Sequence, residues 1–217
     1  MQTQIQNEKN MAKRVLLING SPRENGNTRM ALEEVAKTLN ECGVETVIVN
    51  IGKHAMQGCI ACGMCGRIGK CTFNDNVYDK IRTTMVDGID GLVVGSPVYY
   101  AGPNGSLCAL MDRVCYSLSR FMQFKPAACV VVCRRGGASA AFDRLNKYFT
   151  ILNMPVVSSQ YWNMVYGQSA GEAVRDEEGM QTMRTLGRNM AWMIDRLNTA
   201  EKGHPEVEPR VSTNFIR

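Results

Sequence analysis

Short runs of apolar and β-branched residues alternate along the chain with longer segments whose apolar positions recur at helical spacing. Residues 15–18 are continuously apolar and predict a strand. From about 27 to 42 the apolar positions Met30, Leu32, Val35, Ala36 and Leu39 predict a helix, with the last four on one face, and Gly43 supplies a stop. A second strand is expected at 44–49. Val77, Ile81 and Met85 fall four apart and predict a helix over 76–86. The run at 89–94, apolar apart from Asp90, predicts a third strand suited to burial on both faces. A helix over 104–121, a fourth strand at 128–133, a helix to about 152 and a fifth strand at 156–161 follow. The last helix, 176–199, carries Met180, Met183, Leu186, Met190, Ile194 and Leu197 as one stripe, which suits a core or a subunit interface.

Five strands, each followed by a helix, predict an open parallel sheet with helices on both faces, an α/β fold in three α/β/α layers. Right-handed crossovers leave few strand orders. One is 2-1-3-4-5, in which a ligand sits outside the carboxyl ends of strands 1 and 3, where the chain reverses direction. Residues 13–200 would form this domain, with a polar extension at 1–12, a cysteine-rich loop at 52–75 and a tail at 201–217.

The loops at the expected ligand edge are unusual. After the first strand come Gly20-Ser21-Pro22-Arg23-Glu24-Asn25-Gly26-Asn27-Thr28. Glycines permit a tight turn, Ser21, Asn25, Asn27 and Thr28 offer polar side chains, and Arg23 adds a full charge. The following helix start supplies unpaired N–H groups and a positive dipole end, so the loop suits a terminal phosphate. A plain helix cap by Asn27 or Thr28 is the alternative. The loop is neither Gly-x-Gly-x-x-Gly nor a glycine run followed by Lys-Ser/Thr, which disfavours a dinucleotide fingerprint and a P-loop. After the third strand, Pro97, Val98, Tyr99, Tyr100 and Gly102 offer aromatic surface and backbone donors. After the fourth, Arg134, Arg135, Gly136 and Gly137 combine charge with room for close backbone approach.

Gly-Ser-Pro-Arg…Gly-Asn-Thr resembles the first FMN-phosphate loop of the NAD(P)H-dependent FMN reductase and iron–sulfur flavoprotein families, over roughly 13–197 of the chain. The resemblance implies a flavodoxin-like fold and FMN as cofactor, with Ser21, Arg23, Asn25, Asn27 and Thr28 at the phosphate. It places Pro97, Val98, Tyr99, Tyr100 and Gly102 around the flavin ring. Arg135, Gly136 and Gly137 would form the third loop, although the two arginines depart from the Thr-Gly-Gly-like sequence frequent in these families. A nearby arginine would steady negative charge on reduced flavin or attract a nicotinamide phosphate; the other reading is two solvated arginines. NAD(P)H is the co-substrate the resemblance implies. Hydride chemistry then belongs to the cofactor and no catalytic side chain is required. His54 and His204 fall in expected loops and read as solvated.

Four cysteines fall in the pattern Cys59-x2-Cys62-x2-Cys65-x5-Cys71. Thiolates so spaced in a glycine-rich loop can converge on one inorganic centre. Three share tight spacing with the fourth near, which favours a [4Fe–4S] cluster over zinc, whose structural sites usually take two Cys-x2-Cys pairs further apart. The spacing also resembles that of iron–sulfur flavoproteins. Redox-active or structural thiols, and zinc, stay open. The other five cysteines read as small hydrophobes.

Composition narrows the rest. Hydrophobic residues are 45% and charged residues 21%, ordinary globular values that permit a self-sufficient core. The net charge of +5 is spread out, without the basic stripe of a nucleic-acid binder. The first ten residues are polar, and no apolar run approaches the ~18 residues of a membrane span. A soluble, cytoplasmic protein with no nucleic-acid or membrane partner is expected. Nine cysteines without an export signal argue against a disulfide framework. The leading functional expectation is an FMN-dependent oxidoreductase passing electrons to a small-molecule or redox-protein acceptor. The resemblance implies a homodimer or homotetramer. The rival expectations are an electron carrier without its own substrate and a cysteine-based redox sensor.

Overall fold

A computed structural model of the chain describes residues 12–199, 203–209, 211 and 213. The expected extension at 1–12, apart from Ala12, and residues 201, 202, 210, 212 and 214–217 of the expected tail lie outside the described residues. The parallel strands are β1 (Arg14–Asn19), β2 (Glu45–Asn50), β3 (Gly91–Tyr99), β5 (Ala127–Cys133) and β6 (Met164–Tyr166); β4 (Gly102–Pro103) is a short return from β3. The helices are α1 (Asn27–Glu41), α2 (Cys65–Ile68), α3 (Asn76–Asp87), α4 (Gly105–Leu118), α5 (Ala138–Ile151) and α6 (Glu177–Asn198). The sheet runs β2-β1-β3-β5-β6, all parallel, with β4 antiparallel to β3.

Because side chains alternate across a strand, each strand feeds two cores. Leu16, Ile18, Leu92, Val94, Cys129 and Val131 face α3, α4 and α5. Val15, Leu17, Val93, Val130 and Val132 face α1 and α6. Both sides of β1, β3 and β5 are thereby dry, which is why these strands read as continuous apolar runs. The stripe on the last helix packs in the second core through Met180, Met183, Leu186, Met190 and Ile194, while Leu197 is exposed. Asp75 caps α3 by accepting from the Tyr78 N–H at 2.8 Å, and Asp176 caps α6 by accepting from the Gly179 N–H at 2.9 Å.

The expected five strands become six, and two differences carry the change. First, β3 continues past 94 to Tyr99 and folds back as β4, so part of the anticipated loop is a hairpin. Second, the fifth parallel strand does not form at 156–161. Val156 makes one isolated bridge to Ala127, the chain loops outward, and β6 pairs only from Met164, opposite Val131. Four steps along β5 (127 to 131) thus face eight along the edge (156 to 164). Ser158, Ser159 and Gln160 have no apolar alternation to bury, which explains the excursion.

Among the described residues no helix is long and apolar enough to cross a membrane.

Where α6 crosses α1, Gly187 brings the two backbones close. A Cβ there would stand 2.8 Å from Thr38 Cβ and 3.1 Å from the Val35 carbonyl. Alanine is the better helix former by about 1 kcal/mol, whereas overpacking costs about 1–3 kcal/mol. Gly187→Ala is therefore expected to be a net loss, read as a lower urea midpoint with an unchanged slope. A midpoint at or above wild type would show that the contact relaxes freely.

Candidate functional sites

The carboxyl ends of β1, β3 and β5 open into a cleft of about 190 Å³. One wall is the loop after β1. The Gly20 N–H donates to the Gly95 carbonyl at 2.8 Å, and the buried Asn104 side chain donates to the Gly20 carbonyl at 2.8 Å. The Asn104 N–H in turn donates to Ser96 Oγ at 2.9 Å, so the first and second loops are stitched together. Ser21 is buried, its N–H held by Asn19 Oδ1 at 3.2 Å and its Oγ accepting from the Arg23 N–H at 3.1 Å. Gly26 caps α1 without a side chain, so the first turn presents free N–H groups beside the cleft.

Of the anticipated residues, Ser21, Arg23, Asn27, Thr28, Pro97, Val98 and Tyr99 line this cleft. Asn25, Tyr100, Gly102, Arg135, Gly136 and Gly137 lie outside the lining. Asn25 is exposed on the turn, and Arg134 takes the lining position in place of its neighbour Arg135. Tyr100 and Ala101, both left-handed at φ 49° and 59°, make the tip of the β3–β4 hairpin, with the Tyr100 side chain fully exposed. Such a pair matches the tight hairpin turn normally built with Asn-Gly, and it stores strain beside the cleft. Gly137, at φ 87°, packs against this tip, and a Cβ there would meet Ala101 Cα at 2.7 Å.

Asn27 has a structural duty. Its Oδ1 accepts from the Gly171 and Ala173 N–H groups at 3.1 and 3.2 Å, and its Nδ2 donates to the Ser169 carbonyl at 2.8 Å. It pins the segment after β6, whose Gly167, Gln168 and Ala170 form a further wall of the cleft. Cys133, anticipated only as a buried hydrophobe, lines the cleft as well. Burial pushes its thiol up, partly offset by a hydrogen bond with the Arg135 backbone.

A second pocket, of about 170 Å³, lies along the outer side of α4. It is lined by all four motif cysteines together with Thr72, Phe73, Arg113 and Tyr116. The cysteines are free thiols; Cys59 and Cys62 are exposed, Cys65 and Cys71 half-buried. Ala61 at φ 55° and Gly63 and Gly69 at φ 68° curl the loop around the pocket. Among the described residues no three His, Cys, Asp or Glu groups converge on one ion; the four motif cysteines share the lining of the pocket instead.

The loop is fastened by a side chain the motif does not contain. Arg113 is 1% exposed and donates to Asp75 Oδ2 at 2.6 Å, to the Phe73 carbonyl at 2.6 Å and to Cys71 Sγ at 3.5 Å. Burial would raise the Asp75 carboxyl, but the Tyr78 N–H and the Arg113 guanidinium outweigh it and hold the carboxyl below its ordinary value. Tyr78, whose ring lies 4.9 Å under the guanidinium, accepts the Cys71 N–H at 2.8 Å and bonds Ser117 Oγ at 2.7 Å.

The fold belongs to the flavodoxin-like class, as comparison with solved structures shows. RosB with a bound 8-demethyl-8-formylriboflavin-5'-phosphate intermediate superposes with a TM-score of 0.67 at 13% identity, covering 95% of this chain and 94% of its own. A WrbA-like flavodoxin from Agrobacterium tumefaciens superposes at 0.59 with 15% identity, covering 86% and 99%. At sequence level, the family described as NADPH-dependent FMN reductase matches residues 13–169, and the chain belongs to that family of FMN-binding oxidoreductases. An iron–sulfur flavoprotein of Methanocaldococcus jannaschii is 32% identical, covering 83% of this chain and 97% of its own. Iron–sulfur flavoproteins of Archaeoglobus fulgidus and Methanosarcina thermophila are each 28% identical, covering 83% and 82% of this chain and 96% and 93% of their own.

The Cys62 thiol is held below the ordinary value of 9.0 by a backbone hydrogen bond at Met64 and by the Thr72 hydroxyl. Thr72→Val removes the second and raises that value. At pH 7 the variant carries less thiolate, so iodoacetamide should label Cys62 of metal-free protein more slowly than in wild type. Only well above pH 9, where both thiols are ionised, should the difference vanish. Equal rates at pH 7 would show that Thr72 does not act on the thiol.

Proposed function

We propose that the protein is an FMN oxidoreductase that also carries a [4Fe–4S] cluster on Cys59, Cys62, Cys65 and Cys71. The observation that carries this reading is the presence, in one domain, of a switch-point cleft with a phosphate-like end and a separate ring of four free thiols. The names of the sequence relatives support it further.

At the cleft, the uncapped first turn of α1, Ser21, Thr28 and the Arg23 guanidinium would hold the terminal phosphate. Pro97, Val98 and Tyr99 would lie along the flavin ring. Asn27 serves by fixing the 167–173 segment as a wall rather than by donating to the ligand. Arg134, on the lining, is better placed than Arg135 to meet negative charge. FMN, when bound, supplies exchange of a hydride or of single electrons, and the protein's part is orientation and charge. At the second pocket the thiol ring fits a polynuclear centre better than a single ion, because zinc needs its sulfurs about 2.3 Å from one point. Such a centre adds one-electron exchange. Electrons would enter from NAD(P)H or a one-electron donor protein and leave to a small-molecule or redox-protein acceptor. The reading includes a homodimer or homotetramer, which light scattering resolves.

Anaerobically purified protein should contain about one FMN, four iron and four sulfide per chain. FMN without iron would remove the cluster and leave a flavin reductase; no FMN after reconstitution would overturn the whole reading. Arg23→Ala should weaken FMN binding by about tenfold or more, as loss of a charged phosphate contact does. Oxidation of NADPH with a quinone acceptor, in the absence of a donor protein, tests the nicotinamide route.

A further inference from the structure

Arg113 lies on α4, outside the cysteine motif, yet every polar partner of its guanidinium is on the cysteine loop. Nη1 reaches the Gln57 carbonyl at 3.4 Å and Asp75 Oδ2 at 2.6 Å, Nη2 reaches the Phe73 carbonyl at 2.6 Å, and Nε reaches Cys71 Sγ at 3.5 Å. Gln57 precedes the first motif cysteine, while Phe73 and Asp75 follow the last. One planar fork therefore closes the loop at both ends, a reach that a single ammonium does not reproduce. Tyr78 fixes the Cys71 backbone from the other side.

The charge argument runs the same way. Residues 52–73 contain Lys53, Arg67 and Lys70 and no Asp or Glu. Asp75, the one carboxylate on the guanidinium, has a side chain one-third exposed, whereas that of Arg113 is fully buried. Sulfurs carrying negative charge in a partly dry pocket need a nearby cation, and Arg113 is a buried one that touches the Cys71 sulfur.

We propose that Arg113 is the positioning residue of the thiol site: it locks the 57–75 loop in its ring and supplies the buried positive charge that offsets the ligating sulfurs. The charge half of this proposal rests on the cluster reading above; the positioning half does not. Arg113 sits about 13 Å down the α4 axis from its Asn104 cap, by the helical rise, so a change there leaves the FMN cleft its own contacts.

The test uses the full chain with Arg113→Met and Arg113→Lys, each metal-free and after anaerobic reconstitution with iron and sulfide. In metal-free protein, alkylation of Cys71 is read by mass spectrometry relative to the exposed Cys42. Arg113→Met should raise that ratio about tenfold or more, because the loop opens locally, with FMN content unchanged. Arg113→Lys should fall between Met and wild type. After reconstitution, Arg113→Met should hold severalfold less iron per chain. Whatever cluster it retains should titrate, by EPR, at a lower potential, since a nearby cation favours the more negative reduced state. A folded Arg113→Met with wild-type FMN and a wild-type Cys71 ratio would overturn the proposal. If Arg113→Met loses FMN and does not fold, Arg113→Lys decides: a raised Cys71 ratio supports the proposal and a wild-type ratio overturns it. If wild type takes up no iron, the cluster reading fails, and the Cys71 ratio alone still decides whether Arg113 positions the thiols.

Discussion

Burial of the central strands on both faces is the constraint from which the rest follows. β1, β3 and β5 are sealed by α3, α4 and α5 on one side and by α1 and α6 on the other. Polar chemistry is thereby driven to the carboxyl ends, where the strands stop and the backbone N–H and C=O groups of the loops must find partners. The buried side chains of Asn19, Asn104 and Asn27 supply many of them. The same residues that settle the backbone shape the cleft. The strained Tyr100–Ala101 tip is tolerated because Gly137 has no side chain to collide with it.

The second site obeys a different logic. The cysteine loop has almost no regular structure beyond the four-residue α2, and its motif side chains are exposed or half-buried. Its shape is borrowed from α4 through Arg113. Breaking a fully buried ion pair costs about 3–5 kcal/mol, and the figure here is smaller because Asp75 is partly solvated. Even so, an arginine whose head is committed to carbonyls, a carboxylate and a sulfur is a rigid anchor for a segment that could not order itself. The two sites meet in α4: its cap Asn104 stitches the loops of the cleft, and Arg113, further along the helix, contacts the Cys71 thiol.

The family to which the chain belongs fixes the cofactor class, and the relatives named iron–sulfur flavoproteins share the whole domain rather than a fragment. Arg134 rather than Arg135 reaches the cleft lining, Cys133 lines it as well, and the excursion at 158–163 leaves Tyr161 and Trp162 exposed.

The amino-acid sequence by itself determined the alternation of strands and helices, because strands buried on two faces must be continuously apolar and helices packed on one face must repeat at helical spacing. It marked equally the loops after β1 and β3 and the cysteine segment as the unusual stretches, since glycine, proline and thiol spacings are local properties. Tertiary structure alone decided that Asn27 pins a segment more than 140 positions away, that Arg113 holds a loop 38 to 56 positions away, and that the edge strand breaks at 158–163. A buried polar side chain is defined by the donors and acceptors that packing brings within 3 Å or so of it, and no periodicity in the chain records which those will be.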